Sequence, residues 1–274
     1  MTTRVRRIGP SSDRGLLGLS DIWPRRELLY FLAWRDMRVR YSQAFLGVLW
    51  AVLQPLVLMA LFTLVFGRFA RLDSDGLPYS LFALAALVPW QLFSSSVANA
   101  TESVVSNERI VTKIYFPRVL LPFASVLAAL ADFAIAFLLL LVVMAINGMA
   151  PPAAFVFLPL FLVLAIVTTL GVGVWLAALN TEFRDFRYVT PFLLQAWLFA
   201  TPVVFSMTAV PDRWRPLISI NPMAAVVEGF RWTLLGGTAP ALSTVIISAA
   251  VSAAILISGL MWFRRLDDRI ADIV

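Results

Sequence analysis

The chain has 274 residues, of which 61% are hydrophobic and 14% charged, with a net charge of +6. Soluble domains average about 45–50% apolar and about 25% charged residues, so an ordinary water-soluble fold is excluded. Cysteine and histidine are both absent, which removes disulfides, thiolate catalysis, imidazole acid–base chemistry and imidazole metal ligation.

Six apolar stretches are each long enough to cross a hydrocarbon core about 30 Å thick. They lie near Gln43–Phe66, Tyr79–Asn99, Val119–Ile146, Ala153–Leu179, Val189–Phe205 and Ala241–Phe263. Lipid offers the backbone no hydrogen-bond partner, so such stretches must be helices. The expected fold is an all-α polytopic membrane protein with six transmembrane helices, an N-terminal interfacial helix and a re-entrant outer hairpin before the last span. With both termini cytoplasmic, seventeen of the 22 Lys and Arg residues fall on the inner side and five on the outer. That asymmetry favours this orientation and explains the basic balance without nucleic acid.

Residues 1–24 read as a polar, Arg-rich cytoplasmic tail without the features of a cleavable signal, so the first span is expected to act as an uncleaved anchor. Residues 25–263 read as the transmembrane domain and 264–274 as a cytoplasmic tail. From Pro24 to Ser42 the sequence reads as a helix at the cytoplasmic interface. Leu28, Phe31, Leu32 and Val39 are expected on one side, with Arg35 intruding among them. The first two spans carry Gln54-Pro55 and Pro89-Trp90. Gly171, Gly173 and Ala177 in the fourth allow close helix approach.

The third span places Asp132 near mid-depth. A carboxylate there must be protonated, hydrogen-bonded across helices, or turned toward water. With no His or Lys beside it, a polar contact between helices is the stronger reading than a proton relay. Ser206–Pro240 is too apolar for a solvated loop and fits a non-spanning helical hairpin broken at Asn221-Pro222. Glu228 and Arg231 are spaced to pair on it. The hairpin is either a gate or a lid over the bundle.

On the inner side, residues 100–118 (ATESVVSNERIVTKIYFPR) are polar and helix-compatible, and Asn180–Tyr188 (NTEFRDFRY) alternates acids with Arg. The single lysine, Lys113, stands outside any G-x-x-x-x-G-K-[ST] loop, so the chain lacks a Walker-type nucleotide site. Clustered catalytic or metal-binding carboxylates are not apparent. What remains is a pore-former or permease driven from elsewhere.

Several segments carry a resemblance to a known family. WRDMRVRYSQAFLGVLWAVLQP (34–55), NERIVTKIYFPR (107–118), ALNTEFRDFRYVTPFLLQ (178–195), TPVVFSMTAVPDRW (201–214) and NPMAAVVEGFR (221–231) occur in the order found in ABC-2-type polysaccharide exporter permeases. The chain resembles that O-antigen, capsule and teichoic-acid group from about Arg25 onward, which makes 25–263 an ABC-2-type transmembrane domain. The resemblance implies a homodimer in the bacterial inner membrane, working with two copies of an ATP-binding-cassette subunit. That partner would hold ATP and Mg, leaving this chain with no cofactor and no catalytic residue. By the same resemblance Asn107, Glu108, Arg109, Lys113, Tyr115, Phe116, Arg184 and Asp185 form the ATPase-coupling loops. Trp34, Arg35, Arg38, Arg40 and Tyr41 lie on the interfacial helix, where a lipid-linked glycan approaches. Trp90, Phe93, Trp197 and Phe205 are candidates for an aromatic sugar path, with Asn221, Glu228 and Arg231 at the gate. The rival readings are an ABC-2 permease for a drug, lipid or small metabolite, and, from another class, a membrane scaffold or a glycan polymerase.

Overall fold

The computed structural model describes residues 23–42, 49–113 and 116–273, with side chains as far as Leu266. The described residues are helices and connections, without a strand. α1 (Arg26–Ser42) is followed by α2 (Leu49–Phe62), which continues as a π-helical turn over Thr63–Phe69. α3 (Tyr79–Ser106), the one-turn α4 (Glu108–Val111), α5 (Leu120–Ile146) and α6 (Leu158–Glu182) come next. α7 (Phe186–Ala200), α8 (Arg215–Ser219), α9 (Pro222–Leu235) and α10 (Leu242–Ile273) complete the chain.

Five helices are long and apolar enough to cross a membrane: Leu49–Phe69, Tyr79–Ser106, Leu120–Ile146, Ala153–Glu182 and Leu242–Leu266. These match five of the six expected stretches, although residues 43–48, where the first was expected to begin, lie outside the described residues. The remaining stretch behaves differently. α7 has 15 residues, roughly 22 Å of helix against a core of about 30 Å. It stops at Ala200 because Pro202 disfavours a helical conformation at Thr201, which is extended at ψ 142°. Val203, Val204 and Phe205 follow as non-helical backbone.

α3 is the centre of the bundle. It packs against α5, α6, α9, α2 and α7, and 78% of its most apolar stretch is buried, against 6% for α2. Its run from Leu81 to Val88, near the start of the helix, is completely enclosed. α9 is buried along nearly its whole length, between α3, α6 and α10. The edges of the bundle carry large exposed apolar side chains such as Leu138, Ile146, Leu160, Val163 and Ile246, the surface a lipid-embedded protein must present. A second cluster sits at one end, where Leu32 and Ala33 of α1 meet Val104, Val111, Phe116, Leu120 and Phe263.

Close approach depends on glycine at several contacts, Gly171 and Gly229 among them. A Cβ at Gly171 would stand 2.9 Å from the backbone nitrogen of Leu256, where α6 crosses α10, and a Cβ at Gly229 would enter the ring of Phe161. The obstacle at Gly171 is backbone and cannot swing aside. Gly171→Ala is expected to push α6 off α10 at a cost of about 1–3 kcal/mol. A lowered melting temperature of the detergent-solubilised protein checks this, with Leu160→Ala on the outer surface expected to change stability by less than about 0.5 kcal/mol.

Candidate functional site

The segment after α7 shows how irregular backbone is tolerated deep in the bundle. Arg231 of α9 is buried, and its guanidinium donates to four carbonyls: Nη1 to Pro202 at 2.6 Å and Phe205 at 3.3 Å, Nη2 to Val203 at 2.7 Å, and Nε to Phe82 of α3 at 3.2 Å. The hydroxyl of Tyr79 donates to the carbonyl of Val204 at 2.7 Å. All four successive carbonyls from 202 to 205 therefore have donors, as buried backbone requires. The guanidinium also lies 3.4 Å from the centroid of the Phe82 ring, a cation–π contact in a desolvated place.

This corrects the expected pairing on the hairpin. Glu228 and Arg231 form no ion pair among the described residues, because the fork of Arg231 is committed to carbonyls. Glu228 is half-buried and faces a cavity of about 460 Å3 shared with Arg215, Thr208 and Ser219. Burial pushes its carboxyl up to about 7, against the opposing pull of Arg231 and Arg215. Arg215 itself pairs with Asp212 at 2.7 Å.

Asn221 fastens the hairpin to α7. Its Oδ1 accepts from the Met223 N–H at 3.1 Å, capping α9, and from Trp197 Nε1 at 2.9 Å. Its Nδ2 donates to Thr201 Oγ1 at 2.9 Å and to the Ala200 carbonyl at 3.2 Å. The aromatic candidates do come together, with Trp90 5.3 Å from Phe93 and Phe93 5.1 Å from Trp197, centroid to centroid. Phe93 is fully buried and Trp90 nearly so. In this arrangement both fill the core, Trp197 is half-buried beside them, and Phe205 enters the network through its carbonyl.

At the other end of the bundle α1 lies along α5. Leu32 and Ala33 face inward, whereas Phe31 and Val39 are exposed together with Trp23, Tyr30 and Trp34. The apolar side expected for α1 is thus divided: one part packs on protein and the aromatic part faces outward. The guanidinium of Arg40 pairs with Asp132 Oδ2, and the hydroxyl of Tyr41 donates to Asp132 Oδ1. Asp132 makes a polar contact between helices, and its partners stand 92 and 91 positions away in sequence. Arg35 bonds its neighbour Asp36 at 2.7 Å, and Arg38 is exposed.

The expected docking segments are exposed around this end, with one exception. Glu108, Arg109 and Lys113 are exposed, as are Arg184 and Asp185. Asn107 is half-buried and donates from Nδ2 to the Ser103 carbonyl at 2.7 Å, closing the end of α3. Phe116 is 5% exposed and belongs to the second core cluster, so its ring anchors the loop internally instead of meeting a partner. Tyr115 lies outside the described residues. The two segments leave helices that are themselves tied, since Asn180 Nδ2 of α6 donates to the Thr101 carbonyl of α3 at 2.9 Å.

Several apolar crossings around a central helix, a helix laid along one end and charged segments projecting from it define a multi-pass membrane transport protein without a nucleotide-binding loop. The family model for ABC-2 type transporters matches residues 27–235, and the chain belongs to that family. It is similar to the O-antigen export system permease protein RfbA of Klebsiella pneumoniae, 28% identical over 251 residues that cover 90% of this chain and 95% of that one. Similarity extends to the RfbA protein of Myxococcus xanthus, 29% identical over 238 residues, or 86% and 91% of the two chains. The polysialic acid transport protein KpsM of Escherichia coli is 24% identical over 208 residues, covering 74% and 79%.

Arg231→Lys keeps a charge but not the planar fork. It is expected to leave at least two buried carbonyls without donors, at about 1–3 kcal/mol each. The amount of folded protein recovered from membranes and its melting temperature should both fall, whereas Arg213→Lys in the exposed 211–214 turn should change neither.

Proposed function

We propose that this chain is the transmembrane permease subunit of an ABC transporter that exports a lipid-linked polysaccharide across the bacterial inner membrane, driven by a separate ATP-binding subunit. The observation that carries this reading is similarity along about nine-tenths of the chain to permeases named for O-antigen export. The capsule-type relative adds a second glycan. The chain is a transport subunit, and ATP hydrolysis with its Mg belongs to the partner.

In this reading two copies of the permease associate with two ATP-binding subunits, and both termini face the cytoplasm. Six crossings are α2, α3, α5, α6, α7 and α10, with the non-helical residues 201–206 completing the short α7. α8 and α9 form a re-entrant hairpin on the outer side, closed by Arg231 and Asn221. The preponderance of Lys and Arg in the segments at the α1 end supports placing that end inside. α1 then lies at the headgroup level with Trp34, Tyr30 and Phe31 turned toward lipid, as interfacial aromatics prefer.

Coupling follows from the way the inner segments are mounted. α3 runs unbroken to Ser106, and Asn107 joins it to the exposed turn that carries Glu108 and Arg109. A push on that turn is delivered along a 28-residue helix at the centre of the bundle. The Asn180–Thr101 bond makes the Arg184–Asp185 segment travel with it.

Two measurements test the reading. Depletion of the protein is expected to leave lipid-linked glycan accumulating in the cytoplasm, and normal surface glycan after depletion overturns polysaccharide export. Reversing both charges at once (Glu108→Arg with Arg109→Glu) is expected to abolish export and permease-stimulated ATP hydrolysis while the protein still inserts. Unchanged stimulation overturns the docking role.

A further inference from the structure

A polar stripe runs up the central helix within its membrane-crossing length. Gln91, Ser95 and Asn99 are spaced by four residues on one face of α3, so they stack one turn above another. Glu102, Ser103 and Ser106 continue the stripe toward the α1 end. Two cavities open against it. The first has a volume of about 260 Å3 and lies between the end of α1, α2, α3 and α5, with Gln91, Ser95 and Asn99 facing Trp50 and Gln54 of α2. The second, about 420 Å3, continues toward Asn107. Arg40 and Asn99 line both. At that neck Arg40 and Tyr41 hold Asp132.

The amides of Gln54, Gln91 and Asn99 have no hydrogen-bond partner among the described residues. Gln91 is half-buried, Gln54 and Asn99 are exposed at the cavity, and an amide inside an apolar span gains most from a polar occupant beside it. The charge around them decides which chemistry fits. Arg40 is neutralised by Asp132, so the cavity offers no free cation to attract a phosphate. It offers instead three amides, which donate and accept at once, a carboxylate with spare lone pairs, and the indole of Trp50. Flat polar groups beside one aromatic face match a sugar ring, whose hydroxyls need donors and acceptors together and whose C–H face packs on an aromatic ring.

We propose that the cavity between α2, α3 and α5 binds a sugar ring, with Gln54, Gln91 and Asn99 reading its hydroxyls, Trp50 covering its apolar face and the Arg40–Asp132–Tyr41 clasp positioning the wall. The second cavity extends the same track toward the cytoplasmic end. This inference rests on the reading of the chain as a glycan exporter and names where, on one protomer, the glycan is held.

The chain has no cysteine, so Ser95→Cys places a single near-isosteric thiol in the cavity. The permease is assayed with its ATP-binding partner in phospholipid vesicles, with or without lipid-linked glycan extracted from the producing cells, using a small methanethiosulfonate reagent. Glycan-lipid is expected to slow modification at Ser95→Cys about threefold or more, and to leave Leu138→Cys on the outer surface unaffected. Adding Gln91→Ala or Asn99→Ala is expected to weaken that protection by about two- to tenfold in the concentration required, the worth of one neutral hydrogen bond. Equal rates with and without glycan-lipid overturn the site, leaving the amides to water. Equal protection by phosphatidylglycerol added at the same concentration also overturns it, because the occupant is then a phospholipid headgroup. The two failures separate cleanly. If depletion blocks export while Asn99→Leu and Gln91→Leu export normally, the site falls and the exporter reading stands; if depletion leaves surface glycan intact, the exporter reading falls.

Discussion

The arrangement of the end of the bundle opposite α1 depends on one side chain satisfying a stretch of backbone that has no helix to satisfy it. Four carbonyls from Pro202 to Phe205 are enclosed where water is scarce, and three of them accept from Arg231. No other side chain has the geometry for this: a guanidinium offers five donors in a fixed plane, and here they are spread over two strands of backbone, one from the 202–205 segment and one from α3. Because the donors are supplied from α9, α7 can end five residues before its apolar sequence does. Held at Arg231 and capped at Asn221, α9 stays buried between α3, α6 and α10. Loop 70–78 is drawn into the same end, with Asp75 accepting from Ser206 at 2.5 Å and Thr208 at 2.7 Å.

The α1 end solves the opposite problem. There a half-buried acid, and not a buried carbonyl, needs donors, and they come from α1, which is not among the five helices long and apolar enough to cross a membrane. Asp132 is placed in the middle of α5 by a sequence that is otherwise apolar on all sides. Arg40 and Tyr41, at the last turn of α1, reach it because Leu32 and Ala33 have already seated α1 against Val104, Phe116 and Leu120. Apolar packing sets the line of the helix and the clasp fixes how far along it sits. A charge pair of this kind adds little net stability once desolvation is subtracted, but losing one partner leaves the other stranded. Its effect is therefore on where α1 sits.

Much of this was legible in the sequence because membrane helices are specified by a quantity that hydropathy measures directly. Five apolar stretches became long helices, but α3 ran on through Ala100–Ser106 into what reads as a polar loop, and α10 ran on to Ile273 through what reads as a tail. Within Ala100–Ser106 the hydroxyls of Thr101, Ser103 and Ser106 donate to carbonyls of α3 itself, and Asn180 of α6 donates to the Thr101 carbonyl. The short α7 was not legible, since Val203, Val204 and Phe205 are as apolar as a helix would require. Pro202 was the signal that helix ended there, and it weighs nothing on a hydropathy scale. Arg231 misled through spacing: an acid three residues away suggests a pair, but in a buried place a guanidinium is drawn to whatever acceptors are unsatisfied. Phe116 was placed among the docking residues by the family resemblance, and only the path of the chain turns it inward. The partners of Asp132 were beyond reach, because nothing local connects residues more than ninety positions apart. The stripe of Gln91, Ser95 and Asn99 was visible as polar residues at helical spacing inside a span, a pattern that apolar averages conceal.

The uneven burial of the helices limits which of them can move. α3 cannot shift without disturbing α5, α6, α7 and α9 together, and its enclosed run from Leu81 to Val88 makes any such shift expensive. α2 is bound by much less: its apolar stretch is 6% buried, Pro55 removes a backbone donor in its middle, and its far end is wound as a π-helix, where Gly67 lets the ring of Tyr79 approach within van der Waals range. Elements with few buried contacts open at the lowest free energy. α2 is also the outer wall of the cavity that faces the polar stripe, through Trp50 and Gln54. The opposite wall is α3, the helix that ends in the exposed Glu108–Arg109 turn. The exposed Glu108–Arg109 turn and the enclosed run from Leu81 to Val88 thus belong to one wall of the cavity, and the wall with the fewest buried contacts carries the exposed aromatic.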